Sequence, residues 1–283
     1  MVISAFSFTR IPHIVFGAGE FRRLNEMIHR FGDTAVIITG KKSLSQSGML
    51  DNLLQSLKSD SIRYFHYCIS GEPAPEQVDH IVSELSGSKI NVVVAIGGGS
   101  VIDGGKAVSA MLQKSDSVTA YLEGIGNKTH DGTKVPFIAV PTTAGTGSEA
   151  TSNAVLSCVG ETGYKRSLRH ENLVPDIALI DPALAISCPA EITAACGMDA
   201  FTQLLESYVS PLSSPLTDDL AISGIRRIKG NMLSVCSDGA DNIDTRAEMA
   251  YASLLSGITL THAGLGVVHG FSSSIGGFFN IPH

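Results

Sequence analysis

No apolar run in this chain approaches the roughly 20 residues that cross a bilayer, and the N-terminus lacks a basic stretch followed by an apolar core and a cleavage site. Neither a membrane-spanning nor a secreted protein is expected, and the cytoplasm is the expected address. Basic residues are in deficit as well: 20 Lys and Arg against 27 Asp and Glu leave a formal charge of -7, with the cations scattered. That excludes the positive field which would hold a nucleic acid. The five cysteines (Cys68, Cys158, Cys188, Cys196, Cys236) are odd in number and form no C-x-x-C pair, which suits a reducing compartment and a packing role. Internal repeats, charge blocks and low-complexity tracts are absent.

What the chain does have is length and apolar content. Its 283 residues, 43% hydrophobic, suffice for two domains with proper cores. Strand-like runs at Ala35 to Thr39, Ile90 to Ile96, Phe137 to Val140 and Ile177 to Ile180 alternate with helical patterns at Met49 to Leu57 and Pro75 to Leu85, with a further short strand at Arg63 to Cys68. That rhythm predicts an α/β domain. Beyond Asp181-Pro182 the pattern turns helical over Pro189 to Ser210, Leu216 to Ile228 and Asp244 to His262, so a boundary is placed at Ser187: an α/β domain over 1–186 and a helical domain over 187–283. Residues 264–277 read as a glycine-studded apolar segment, and the chain stops in sequence of core character. The helical domain is therefore expected to be incomplete.

Three constellations carry chemistry. Asn91-Val-Val-Val-Ala-Ile-Gly-Gly-Gly-Ser100-Val-Ile-Asp103 runs an apolar strand into three glycines and a helix start, with Ser100 and Asp103 at capping-pair spacing. Glycines at a strand's carboxyl end let backbone approach a pyrophosphate, and the following helix offers unpaired N–H groups. Pro141-Thr-Thr-Ala-Gly-Thr-Gly-Ser-Glu149 follows another apolar strand with four hydroxyls and two glycines, suited to phosphate and ribose. In the helical part, Asp199 and Gln203 stand at i and i+4 on one helix face, and His269 and His283 follow far along the chain. Carboxylate plus imidazole is a ligand set for Fe(II) or Zn(II). His13, His66, His80 and His262 read as ordinary hydrogen-bonded side chains.

Jointly these residues resemble the iron-containing (group III) alcohol dehydrogenases, a superfamily that includes glycerol dehydrogenases, maleylacetate reductases and dehydroquinate synthases. The resemblance runs through Ile14-Val-Phe-Gly-Ala-Gly19, Gly97-Gly-Gly-Ser-Val-Ile-Asp103, Pro141 to Glu149, Ala178-Leu-Ile-Asp-Pro182, Gly197-Met-Asp199 and Ala263-Gly-Leu-Gly-Val-Val-His-Gly270. It implies an N-terminal dinucleotide-binding α/β domain, an all-helical C-terminal domain, a dehydroquinate synthase-like fold with the site in the cleft between them, and a dimer or larger homo-oligomer. It also implies that Gly98, Gly99, Ser100 and Asp103 serve the pyrophosphate turn and that Thr142, Thr143 and Thr146 contact the cofactor. Lys165 falls where the family often has a lysine near nicotinamide and ribose. Asp199, His269 and His283 match metal ligands, but Gln203 stands where the family has His, and Ser273 replaces another active-site His. An amide oxygen binds Fe(II) or Zn(II) more weakly than imidazole, so lower metal affinity is expected.

The nicotinamide form is read at the end of the Ala35 to Thr39 strand. Gly40-Lys41-Lys42-Ser43 carries no carboxylate for a ribose 2′-hydroxyl, and the family often has Asp at the position of Gly40 when NAD is used. NADP is favoured over NAD. The expected activity is metal-assisted hydride transfer between nicotinamide and a small alcohol or carbonyl, with Asp199, His269 and His283 at the substrate oxygen. The alternatives are a metal-independent, maleylacetate reductase-like enzyme and a fragment that binds cofactor without turnover. Phe201 and Tyr121 are candidate lining residues.

Overall fold

The computed structural model describes residues 5–161 and 163–279. The chain opens with β1 (His13–Phe16), α1 (Leu24–His29), β2 (Thr34–Gly40), α2 (Ser43–Gln46), α3 (Met49–Ser59), β3 (Arg63–Ile69), α4 (Pro75–Glu84), β4 (Val92–Gly97), α5 (Gly99–Met111) and β5 (Phe137–Pro141). A two-stranded arm, β6 (Asn153–Cys158) and β7 (Tyr164–Arg169), precedes β8 (Ile177–Ile180). Four helices follow: α6 (Ala190–Tyr208), α7 (Pro215–Val235), α8 (Ile243–Ala263) and α9 (Val267–Phe278).

Six strands form one parallel sheet in the order β1-β8-β5-β4-β2-β3. Its central strand β4 has every residue buried, with Val93 and Ala95 in one apolar cluster and Val92, Val94 and Ile96 in another. A strand covered on both faces has no use for polar alternation, which is why it reads as a continuous apolar run. The carboxyl ends of three strands lie side by side: Thr39 pairs Ile96, and Gly97 pairs Pro141. The loops that leave these ends share one rim, where open α/β sheets bind ligands.

The helical layer is built on α6, α7 and α8, around Ala200, Leu204, Ala221, Ile228, Met249 and Leu255. Ser214 caps α7 and Asn242 caps α8, each accepting N–H bonds that a helix start leaves open. Ala150, Ala178 and Ile180 pack against Leu254 and Ile258, fastening the sheet to α8. There Gly147, at φ 63°, and Gly257 meet backbone to backbone, and a Cβ on either would run into the other. No single helix among the described residues is long and apolar enough to cross a membrane.

Two local expectations change. The segment 264–277, read as glycine-studded and apolar, largely falls in α9 (Val267–Phe278), because its glycines lie between apolar residues at helical spacing. Ser100 and Asp103 do not form a capping pair: α5 starts at Gly99, with Gly98 in the cap position and no side chain bonded to the helix start. Asp103 lies a full turn inside, where its Oδ2 accepts from Val155 N–H at 3.1 Å.

Candidate active site

A cleft of about 260 Å³ runs between the sheet rim and the helical layer. Gly99, Ser100, Asp103, Thr146, Lys165, Asp199, Gln203, His269 and Ser273 all line it, although they span 174 positions from first to last (273 less 99). Gly98, Thr142 and Thr143 are not among its lining residues. The hydroxyl of Thr143 packs on Gly98, that of Thr146 on Gly99, and Thr142 N–H donates to Gly97 O at 2.9 Å. Gly40, Lys41 and Ser43 lie at the end of β2, outside the cleft lining; Gly40 faces Val101 of α5, and Lys41 and Lys42 are exposed. His283 lies outside the described residues. Phe201 and Tyr121 do not line the cleft: Phe201 packs in the helical core and Tyr121 bonds Asp116 at 3.0 Å.

The sheet side fits an anion. The N-terminus of α5 has no capping side chain, and its first residues Gly99 and Ser100 open on the cleft, where their N–H groups and the positive end of the helix dipole are available. Lys165 stands across the cleft, with its ammonium 2.9 Å from Glu72 Oε2, while Glu72 Oε1 also accepts from Ser100 Oγ at 3.4 Å.

The wall behind this turn is held by Lys106, fully buried. Its ammonium donates to the carbonyls of Ser148, Thr151 and Asn153 and to Thr151 Oγ1 at 2.6–3.0 Å, which fixes the loop after β5. Burial pulls this amine down to about 8, against the pull of Asp103 and Glu149. Burial also raises Asp103, with Lys106 opposing, and pushes Glu149 up to about 7. The Cys196 thiol is pushed up to about 12 by burial, in keeping with a packing role.

The helical side is a chain of hydrogen bonds. Glu206 Oε2 faces His269 Nδ1 at 2.5 Å, and His269 Nε2 faces Asp199 Oδ1 at 3.1 Å. Asp199 Oδ2 accepts from Gln203 Nε2 at 3.0 Å, and Gln203 Oε1 accepts from Ser256 Oγ at 2.8 Å. Burial works against a charged ring at His269, yet the bonds to Asp199 and Glu206 outweigh it and hold its pKa above the ordinary value. At Glu206, burial is likewise outweighed by His269 and by the N–H groups of Gly266 and Val268, and its pKa is lowered.

Whether a divalent metal fits is decided by the donors. Asp199 and His269 offer metal-type donors, but Gln203 turns N–H hydrogens toward the carboxylate and commits its oxygen to Ser256. Among the described residues no group of three or more His, Cys, Asp and Glu side chains is arranged to hold a metal. Of the four donors expected, Asp199 and His269 lie together, Gln203 presents N–H hydrogens, and His283 falls outside the described residues.

Sequence reasoning missed Glu206, Ser256 and Glu72. Glu206 carried a signal, because positions 199, 203 and 206 recur on one helix face. Ser256, in the middle of α8, and Glu72, in the turn just before Pro73 and Pro75, carried none.

The iron-containing alcohol dehydrogenase family model matches residues 12–182, and the model for the C-terminal part of the Fe-containing alcohol dehydrogenase family matches 193–283. The chain belongs to the iron-containing alcohol dehydrogenase family. It is an oxidoreductase acting on CH–OH groups, as the sequence resemblance implies. Long-chain-alcohol dehydrogenase 1 of Geobacillus thermodenitrificans is 33% identical over all of this chain and 70% of its own length. The NAD-dependent methanol dehydrogenase of Bacillus methanolicus is 30% identical over 96% of this chain and 70% of its own. A crystal structure of a 1,3-propanediol oxidoreductase superposes with a TM-score of 0.89 at 31% identity, covering 99% of this chain and 72% of that one. The α/β-plus-helical architecture expected from the sequence is the fold of these family members.

Proposed function

We propose that the protein transfers hydride between a nicotinamide dinucleotide, NADP in preference to NAD, and a small alcohol or its carbonyl partner, with His269 and Asp199 handling the oxygen's proton. The observation that carries this reading is the His269–Asp199 pair set in the same cleft as the uncapped start of α5. Gly99 and Ser100 would hold the pyrophosphate by backbone N–H groups, and Thr142, Thr143 and Thr146 would support the adjoining loop. When bound, nicotinamide supplies or accepts the hydride. Lys41 and Lys42, with no carboxylate at Gly40, suit a 2′-phosphate.

On the helical side, the hydrogen between His269 Nε2 and Asp199 Oδ1 is given to the substrate oxygen during reduction and taken back during oxidation. Gln203 steadies Asp199 as an acceptor throughout. This reading assigns no step to a metal, because Gln203 presents a hydrogen to Asp199 where an imidazole would present a lone pair.

Purified protein assayed with NADP and NAD on a panel of small primary alcohols and aldehydes, beside elemental analysis, tests it. Turnover that survives a chelator, with NADP preferred and no stoichiometric metal, is expected. Stoichiometric iron or zinc, with activity lost to a chelator and restored by the metal, would replace it with the metal-assisted reaction. Cofactor binding without turnover on any panel member would reduce the chain to a cofactor-binding unit.

A further inference from the structure

Glu206 uses both of its oxygens, and they do different things. Its side chain is buried in the last turns of α6, where Oε1 accepts from Val268 N–H at 2.7 Å and Oε2 faces His269 Nδ1 at 2.5 Å. The first contact caps the start of α9, where a carboxylate also meets the positive end of the helix dipole. The Val268 bond needs that oxygen alone. The second oxygen holds a side chain that reaches the cleft. Gly266 makes the approach possible, since a Cβ there would stand 2.8 Å from Glu206 Oε1.

We propose that Glu206 is a positioning residue for His269: its carboxylate keeps a hydrogen on Nδ1 and fixes the ring so that Nε2 meets Asp199 and the substrate oxygen. Imidazole has two nitrogens, and an unheld ring can rotate to present either one. A carboxylate only accepts, so Oε2 keeps the hydrogen on Nδ1 and leaves Nε2 for the cleft. Asp199, on the same face of α6 seven residues earlier, receives that nitrogen at 3.1 Å. One helix face thus carries both the group that holds the ring and the group the ring works with. The proposal rests on the reading of His269 as the group that handles the proton.

Glu206→Gln separates aiming from capping. The fixed N–H of Val268 can only donate, so the amide oxygen must take the place of Oε1, and the amide NH₂ then faces His269 Nδ1. The cap survives while Nδ1 is forced to become an acceptor. E206Q is expected to lower kcat on the order of 100-fold, as when the carboxylate behind a catalytic imidazole is replaced by an amide or an outer-shell partner is lost. Cofactor Kd and melting temperature should stay close to wild type, Glu206→Asp should recover part of kcat, and ¹⁵N spectra of histidine-labelled protein should show His269 Nδ1 losing its hydrogen in E206Q.

A kcat within twofold of wild type, or an unchanged ¹⁵N pattern, would overturn the proposal. Parallel falls in melting temperature and cofactor affinity would do so too, since they would make Glu206 merely structural. A wild type without turnover would defeat the functional reading, yet the ¹⁵N pattern would still decide whether Glu206 sets the ring.

Discussion

Gln203 donates its amide N–H to Asp199 Oδ2 at 3.0 Å, one helical turn away, while its carbonyl oxygen accepts from Ser256 Oγ at 2.8 Å. The amide is fixed at both ends and buried, so its donor is committed to the carboxylate. An imidazole placed here would offer a lone pair to a cation, whereas this side chain offers the carboxylate a hydrogen. One residue thus ties a carboxylate–imidazole pair into a hydrogen-bond chain that spans α6, α8 and α9.

Gln203→Glu tests that chain with almost no change in shape. It removes the hydrogen and sets a second carboxylate against Asp199, so one of the two must take up a proton or repel its neighbour. Stability at pH 8 should fall by about 3 kcal/mol, the scale of a buried unpaired charge, with part of the loss recovered at pH 5.5. Urea unfolding at the two pH values reads it, and an equal loss at both would show that repulsion is not the cause.

Gly40→Asp should move cofactor preference from NADP toward NAD. A Cβ at Gly40 meets only Val101 Cγ2, at an ordinary 3.5 Å, so the change costs little in packing. The new carboxylate would accept from a ribose 2′-hydroxyl and repel a 2′-phosphate. A shift of about tenfold or more in the ratio of the two Kd values is expected, worth about 1.4 kcal/mol. Fluorescence titration of NADPH and NADH on wild type and variant measures it, and an unchanged ratio would place the ribose elsewhere.

Much of the parallel sheet was legible because burial on both faces leaves long apolar runs, as at Val92 to Ile96 and Ile177 to Ile180. The β6–β7 arm was not: Tyr164-Lys-Arg-Ser-Leu-Arg169 has little apolar content, and it pairs along Asn153 to Cys158 through backbone bonds that no side-chain pattern announces. The cleft residues Gly99, Thr146, Asp199 and His269 could be named in advance because they sit in the glycine turn, the hydroxyl-rich loop and the helical motifs that carry the family resemblance. Ser256 could not, since a serine in a helix is commonplace until its neighbour is known. The capping role read into Ser100 and Asp103 failed because the helix begins two residues too early for it, on glycines that leave its end open.

Gly147→Ala and Gly257→Ala should each destabilise the joint between sheet and helices. At Gly147 the side chain faces both a positive φ and the backbone of Gly257; at Gly257 it faces the backbone of Gly147. Backbone cannot rotate aside as a side chain can, so overpacking of about 3 kcal/mol is expected at each site. Because the two contacts are one contact, the double variant should cost less than the sum. Denaturant unfolding of the three variants checks this, and full additivity would argue that the two backbones are not in contact.

Glu149 should make the fold less stable as pH rises toward neutrality. It is buried beside Lys106 and Asp103, and burial raises its carboxyl from 4.5 to about 7. Between those two values the folded chain holds a proton that the unfolded chain has released, so unfolding becomes easier with increasing pH. The stabilisation is complete below pH 4.5 and is lost by pH 7, a change of about 3 kcal/mol. Other groups titrate over the same range, so the quantity to measure is the difference between wild type and Glu149→Gln. The variant should gain about 3 kcal/mol on wild type between pH 4.5 and pH 8, read by urea unfolding across that range. A difference that stays flat would mean Lys106 keeps the Glu149 carboxylate ionised throughout, the two acting as a buried ion pair behind the glycine turn.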